Sequence, residues 1–398
     1  MNDNTLKWVW LTTIKGMTPE KIGSLLNKFN DIDEIYNASS EEYKGIDLIR
    51  KRDIELLGDK NTKLAEEIIN KTEKLGAYIL TIDSVDYPKK LRSLSFPPYV
   101  LYVKGKFKIN DEIPAVGVVG TRHTSDYGDE ITNKFGFELA NSGFLIVSGL
   151  AIGVDALAAK AAIRAGGVTV AVLGCGIDVD YPKQNRVLRK YIEEFGAVIT
   201  EHPPGSSPLP AHFPQRNRII AGLSDCVLVT QAPEKSGALI TARYAYDIGR
   251  EIFCVPAGIY EYKSAGSNEL IRLGASSVTK PQNITELYKN RLKDFKPQTQ
   301  RRELFNKKPK NKGVSGFVEK VKETVFKEKP SINDNRYKNL EENEKIIMAL
   351  IIENEKISVD EIIRKTEMAP AKIGATLSMM EMTGVVKKLP GNFYIVSD

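Results

Sequence analysis

Histidine and cysteine are scarce in this chain, three of each in 398 residues, and that scarcity removes several kinds of chemistry at the outset. Cys175, Cys226 and Cys254 are odd in number, show no C-x-x-C spacing and sit in apolar stretches or a glycine turn. They read as buried thiols in a reducing compartment rather than as disulfide partners or zinc ligands. His123, His202 and His212 have no further His or Cys at ligand spacing, so no metal site is expected. No run of about 18 apolar residues is present, which excludes a membrane-spanning helix, and the opening Met1-Asn2-Asp3-Asn4-Thr5 has neither a basic nor an apolar leader. A cytoplasmic protein without membrane partners is the expectation. The G-x-S-x-G elbow is missing, and with it a serine nucleophile. The phosphate loop G-x-x-x-x-G-K-[ST] is missing too, and with it ATP hydrolysis by that route.

What is present fits a soluble protein of two or three domains: 42% hydrophobic and 27% charged residues at this length suffice for a substantial core. Net charge is only +6, but it is unevenly spread. Residues 289 to 330 hold 14 Lys or Arg against five Asp or Glu, a local +9 that leaves the rest near −3. Such a run is either a solvated linker or a tethered nucleic-acid patch.

Three folded regions separate by pattern. Residues 1–75 read as helical, and "TIKGMTPEKIGSLLNKF" offers a glycine turn, Thr18 as N-cap, Pro19 at the first helical position, then Ile22, Leu25 and Leu26 on one face. This suits either a helix-hairpin-helix meeting a DNA phosphate or a plain helical packing unit. Over 76–288, the apolar runs "AVGVV", "FLIVS", "VTVAVL", "AVIT", "CVLVT" and "EIFCVP" are continuous rather than alternating, as parallel strands covered on both faces require. Helical stretches closed by glycine lie between them, which predicts an α/β, doubly wound, Rossmann-like parallel sheet. The proline-broken segment before "AVGVV" is expected to extend the sheet's edge. A basic linker, 289–339, leads to residues 340–398. There, three helices and a hairpin read as a winged helix, with a capping box at Ser358 and Glu361 and a Pro-Gly-Asn turn.

Ligands of an open parallel sheet bind beyond the carboxyl ends of its strands. Those ends are small and polar here: Gly120-Thr121-Arg122, Ser148-Gly149, Gly174-Cys175-Gly176 and, opening a helix, Ser236-Gly237. Glycines let backbone N–H groups approach an anion, and helix N-termini add partial positive charge. Tight turns alone explain one such end better than four. NAD and FAD do not fit: Gly117 and Gly120 are followed by Arg122-His123, and Ser148-Gly149 stands where a ribose-binding acid belongs. No other cofactor is expected. Arg216 and Arg218, in "HFPQRNRIIAGLSD", are two apart on a predicted helix and point about 200° from each other. One faces the rim; the other braces the loop or pairs with an acid, and Glu201, just after a strand, reads as a structural ion-pair partner of these arginines rather than as a base. Phe213 is placed to stack on a base or to pack under its loop. Arg122, Lys183, one of the two arginines, and Phe213 or Tyr181 make a rim of cations and aromatic faces, which is what sequence-tolerant binding of single-stranded nucleic acid needs.

These segments, "GVVGTR", "IVSGLAIGVDALAAKAA", "GCGIDVDYPKQN", "ITEHPPG", "HFPQRNRIIAGLSD" and "SGALITARYAYDIGREIFCVPAG", resemble those of the DNA-processing protein A family of recombination mediators, over roughly residues 76–285. The resemblance implies binding of single-stranded DNA in natural transformation, protection of it, loading of RecA recombinase and, usually, a homodimer. Carried residue by residue, it points to Arg122, Lys183 and Phe213; Asn185 and Asn217 lie within the matching motifs. The family has a lysine three residues before that phenylalanine, and this chain has Pro210. Either affinity is lower, or the basic segment compensates. The third helix of the tail supplies only Lys372 among basic residues and clusters methionines, which suits a core or a protein contact over base reading. The competing reading is a small-nucleotide enzyme related to phosphoribohydrolases. Those carry a P-G-G-x-G-T-x-x-E pattern; this chain has "EKSGALITARYAYD" there, without the glutamate. No catalytic residue is expected.

Overall fold

The computed structural model describes residues 3–292, 340–354, 357–366, 368–389 and 392–396. They fall into two units, within Met1–Lys310 and Asn311–Asp398. Of the linker expected over 289–339, only residues 289–292 are described, as a short helix; residues 293–339 lie outside the described residues.

Each apolar run identified above becomes one strand. They are β3 (Ala115–Val119), β4 (Leu145–Ser148), β5 (Thr169–Val172), β6 (Ala197–Thr200), β7 (Cys226–Val229) and β8 (Glu251–Cys254). With β1 (Tyr78–Thr81), β2 (Val100–Gly105) and β9 (Ser276–Ser277) they form one sheet in the order β1-β2-β6-β5-β4-β3-β7-β8-β9. All pairs from β6 to β9 are parallel, while β2 joins β6 antiparallel and β1 joins β2 antiparallel, so the proline-broken segment does extend the edge. The runs are continuous because successive side chains enter different cores. Ala115 and Val119 join the cluster on one face, Val116 and Val118 the cluster on the other.

The front helices are α1 (Asp3–Thr13), α2 (Pro19–Leu26), α3 (Ile32–Asn37), α4 (Lys51–Gly58) and α5 (Lys63–Lys74); α6 (Lys89–Arg92), α7 (Asp126–Asn141) and α8 (Val154–Arg164) follow within the sheet domain. Gly16, at φ +85°, turns the chain between α1 and α2, and Ile22 and Leu25 are buried. Lys21 on α2 is bound to Asp53 at 2.7 Å, which leaves Lys15 as the exposed cation of that turn. The front also packs on the sheet's edge: Trp8 stacks on Tyr99, centroids 5.4 Å apart, and Lys71 pairs with Asp178 at 2.9 Å.

The second unit is the winged helix. Its helices Glu342–Asn354, Val359–Thr366 and Pro370–Met382 precede the hairpin β11 (Val386–Leu389) and β12 (Phe393–Val396), and a short β10 (Ile357–Ser358) adds to β12. Ser358 caps its helix by accepting from the Glu361 amide at 3.2 Å. Ile373, Leu377 and Met380 are in its core. The methionines divide, since Met379 and Met382 are exposed while Met380 is not. No helix among the described residues is long and apolar enough to cross a membrane.

Candidate nucleic-acid interface

Strand order reverses at β3, which lies between β4 and β7, and at such a switch point the loops leave for opposite faces and a crevice opens. The turn Gly120–Thr121–Arg122 sits at its centre. The Thr121 amide donates to the Gln231 carbonyl at 2.7 Å, the Val154 amide to the Thr121 carbonyl at 3.1 Å, and the His123 amide to Thr121 Oγ1 at 3.2 Å. Thr121 is therefore buried and Arg122 is thrown outward, exposed. Its guanidinium lies 5.7 Å from the ring centre of Phe213, the second residue of α10 (His212–Leu223). Tyr181, 39% exposed, lies against the same ring, 5.4 Å between centroids and tilted by 43°. One cation and two aromatic faces thus meet at the head of the crevice.

Several residues expected to touch a ligand instead build this head. Arg216 is buried, and its guanidinium donates to the carbonyls of Gly149, at 2.6 Å, and Val172, tying the ends of β4 and β5 together. Asp155, beside it, accepts from the amides of Gly149 at 3.0 Å and Ala151 at 3.3 Å. Burial raises the Asp155 carboxyl above its ordinary range against the pull of Arg216, and burial also lowers Arg216. Arg218 turns the other way and pairs with Glu201 at 2.6 Å, as the helical spacing implied. Ser148 donates to the Val118 carbonyl at 2.8 Å. Asn185 donates to Leu150 and Ala151, and Asn217 to Gly237.

The glycines have occupants of their own. A Cβ on Gly120 would strike Val154 and the Gln231 carbonyl, on Gly149 the Arg216 guanidinium, on Gly174 the Phe213 ring at 3.0 Å, and on Gly176 the Gly205 and Pro203 backbone. Close internal packing explains these four positions. Of the five rim glycines, Gly237 alone looks onto open space, with Ser236 capping the Ala238 amide at 3.2 Å where α11 (Gly237–Asp247) begins.

What remains presented is Arg122, Lys183, Phe213, Tyr181 and the start of α11. Two residues were missed. Lys235, exposed just before the α11 cap, stood next to a motif already singled out, and its position was the available signal. Arg189 is buried in α9 (Arg186–Phe195) and donates to the carbonyls of Val179, at 2.6 Å, and Ile177, holding the loop that carries Tyr181 and Lys183. Its four-residue spacing to Glu193, an ion pair at 2.9 Å, hinted only at a helix surface pair.

Two cavities flank the head. One, about 560 Å³, reaches down to Leu173, Cys175 and Val179. The other, about 580 Å³, runs past Thr121, Pro210 and Lys235 to Gly237. They share Arg122, Ala151, Tyr181, Pro208, Phe213 and Arg216. The departure at Pro210 therefore falls on a cavity wall. The cysteines are free and buried, and burial pushes the Cys175 thiol up to about 11. His202 stacks on His212 with centroids 4.0 Å apart, and burial brings it down to about 4. Among the described residues no group of three His, Cys, Asp or Glu could hold a metal.

Fold and site together define a doubly wound α/β protein whose switch point exposes cations beside aromatic rings and whose chain also carries a winged helix. Residues 78–289 match the DNA recombination-mediator protein A family, and residues 336–392 match the DprA winged helix domain. The chain belongs to that recombination-mediator family. It is 34% identical over 402 residues to Protein Smf of Synechocystis sp., 99% of each chain, and 43% identical over 198 residues to DNA processing protein DprA of Streptococcus pneumoniae, 50% of this chain and 70% of that one. The X-ray structure of DprA from Streptococcus pneumoniae superposes with a TM-score of 0.64 at 34% identity, covering 71% of this chain and 97% of that chain.

Proposed function

We propose that this chain binds single-stranded DNA at the sheet rim without sequence preference, protects it and loads RecA recombinase onto it, acting in the cytoplasm as a homodimer and catalysing no reaction itself. One observation carries the proposal: Arg122 beside the Phe213 and Tyr181 rings at the switch point. A guanidinium answers a phosphate, and an aromatic face stacks on any base, so the pair grips a strand and is indifferent to its sequence. A duplex hides its base faces and gains only the phosphate half of this arrangement. Family membership supports the mediator role, and the RecA and dimer statements follow from the family resemblance. The non-catalytic reading is favoured because the ionisable groups under the rim are engaged in structure, Glu201 with Arg218 and Asp155 with two amides beside Arg216.

The test is fluorescence anisotropy of a labelled single-stranded oligonucleotide across a salt series. Arg122→Ala is expected to weaken binding about tenfold and to flatten the log–log salt slope by about one. Unchanged affinity and slope in that variant would remove the rim as the DNA site. The 560 Å³ cavity is also of a size for a mononucleotide. Release of free base from a nucleoside monophosphate by the purified protein would move the assignment to the phosphoribohydrolase-like reading.

A further inference from the structure

The ion pair between Lys71 of α5 and Asp178 joins the helical front to the loop that follows β5, and the same carboxylate reaches a second loop. Its Oδ2 meets the Lys71 ammonium at 2.9 Å, while its Oδ1 accepts from the Gly205 amide at 2.6 Å, in the loop after β6. Burial works to raise the Asp178 carboxyl, but the hydrogen bonds from Lys71 and the Gly205 amide hold it below its ordinary value, so it stays ionised. Gly205 has φ +93°, and a Cβ there would lie 3.1 Å from Lys71 Nζ, so the ammonium rests on the turn itself. Beyond Asp178 in its loop stand Tyr181 and Lys183; beyond Gly205 stands Pro208, which lines both cavities, and then Phe213. Lys71 thus fastens at one point the two loops that lead to the aromatic rings of the rim. An exposed pair of this kind adds little to global stability. Holding two binding loops in place before a ligand arrives does more, because the cost of ordering them on binding is subtracted from affinity.

We propose that Lys71 is a positioning residue for the DNA rim: through this ammonium the helical front holds the loops after β5 and β6 in the arrangement in which Tyr181, Lys183 and Phe213 face one strand. The inference rests on the single-stranded DNA reading above. From its other side the β5 loop is held by α9, with Arg189 on the Ile177 and Val179 carbonyls and Arg186 paired with Asp180 at 3.0 Å. The Gly176 amide donates to the Ser206 carbonyl at 2.9 Å and joins the two loops at their base. Asp178 carries the front's hold further along both. Direct contact of Lys71 with DNA is the competing role, and the two roles give opposite signs at Asp178. By charge alone, neutralising a carboxylate near a phosphate path strengthens binding. Where the carboxylate holds the loops, neutralising it weakens binding.

The test is anisotropy with labelled oligo-dT on the full chain across a salt series, with urea unfolding alongside. Lys71→Ala and Asp178→Asn are each expected to bind about threefold more weakly, with the salt slope and the urea midpoint unchanged. The double variant is expected to bind no more weakly than either alone, since the two residues are ends of one pair. Lys71→Arg, which keeps the charge, is expected to bind as wild type does. Wild-type or tighter binding by Asp178→Asn overturns the proposal, and so does a loss that persists in Lys71→Arg. A salt slope reduced by about one in Lys71→Ala makes Lys71 a phosphate contact and overturns it too. A urea midpoint that falls with affinity makes the loss one of folding, with the same result. Arg122→Ala run alongside separates the two readings. No loss there overturns the rim as the DNA site and this proposal with it, whereas a loss of about tenfold there with wild-type binding by Lys71→Ala overturns the positioning role alone.

Discussion

The two ends of the parallel strands treat their cations in opposite ways. At the amino-terminal end, Asp225 just before β7 gathers the Lys90 ammonium at 2.7 Å, the Arg291 guanidinium at 2.8 Å and the Ala115 amide at 2.7 Å. At the carboxyl end, Arg122, Lys183 and Lys235 are exposed, and no ion pair engages them among the described residues. A cation set on a carboxylate closes its field locally, while one left without a carboxylate projects it into solvent, where an anion can find it. The same residue types thus hold the fold at one end and offer a site at the other. Arg216 and Arg218 complicate this division, because both sit at the carboxyl end yet behave like the amino-terminal cations, Arg218 on the Glu201 carboxylate at 2.6 Å.

Removing Arg216 breaks that division most severely. Arg216→Met leaves the Asp155 carboxylate buried without its guanidinium and two strand-end carbonyls without a donor, so a loss on the order of 4 kcal/mol in urea unfolding is expected. The Asp155 pKa is already raised by burial, and the variant raises it further, so the penalty is present at neutral pH and relieved as pH falls through the raised value. The deficit against wild type should therefore shrink from about pH 7 toward about pH 4. A variant as stable as wild type would place Arg216 among the free rim cations.

Asp225→Asn comes next, at about 3 kcal/mol, with oligonucleotide affinity unchanged. Burial works to raise the Asp225 carboxyl, but hydrogen bonds from Arg291, Lys90 and the Ala115 amide hold it below its ordinary value. A carboxyl depressed on folding contributes stability above its unfolded pKa and loses it as pH falls through the folded one. The gap between wild type and variant should accordingly be flat near neutral pH and close in acid. Weakened DNA binding in this variant would mean that the two ends are not separate in role.

This contrast also shows what the sequence could and could not carry. The six central strands were legible because burial on both faces leaves one-dimensional runs such as "AVGVV", and the winged helix because its caps and turn are local. Arg122 was legible as an arginine where a small residue is usual. Arg216 and Arg218 looked alike; the helical period said that they diverge, but not which of them would be buried, since that depends on the carbonyls of β4 and β5, dozens of residues away. The glycines misled for the same reason. Gly149 and Gly174 read as room for a phosphate and are room for Arg216 and Phe213, an occupant set by tertiary packing. Asp225 drew no notice, because its partners Lys90 and Arg291 are distant in the chain.

The smallest expected effect sharpens the comparison most. Lys235 is exposed like Arg122 and, like it, engaged by no ion pair among the described residues, but it lines the 580 Å³ cavity beside the capped start of α11 without the ring contact that Arg122 makes with Phe213. Without a ring next to it, it contributes only a screened charge to a passing phosphate. Lys235→Ala should weaken oligonucleotide binding about threefold, ~0.7 kcal/mol, and reduce the salt slope by less than Arg122→Ala does. Combined with Arg122→Ala the losses should add, since the two cations touch different phosphates and share no side-chain partner. A loss equal to that of Arg122→Ala would show that free charge alone decides affinity at this rim and that the rings are packing. A loss confined to the shallower slope, with Arg122→Ala several times larger, would show that a cation counts most where a base can stack beside it.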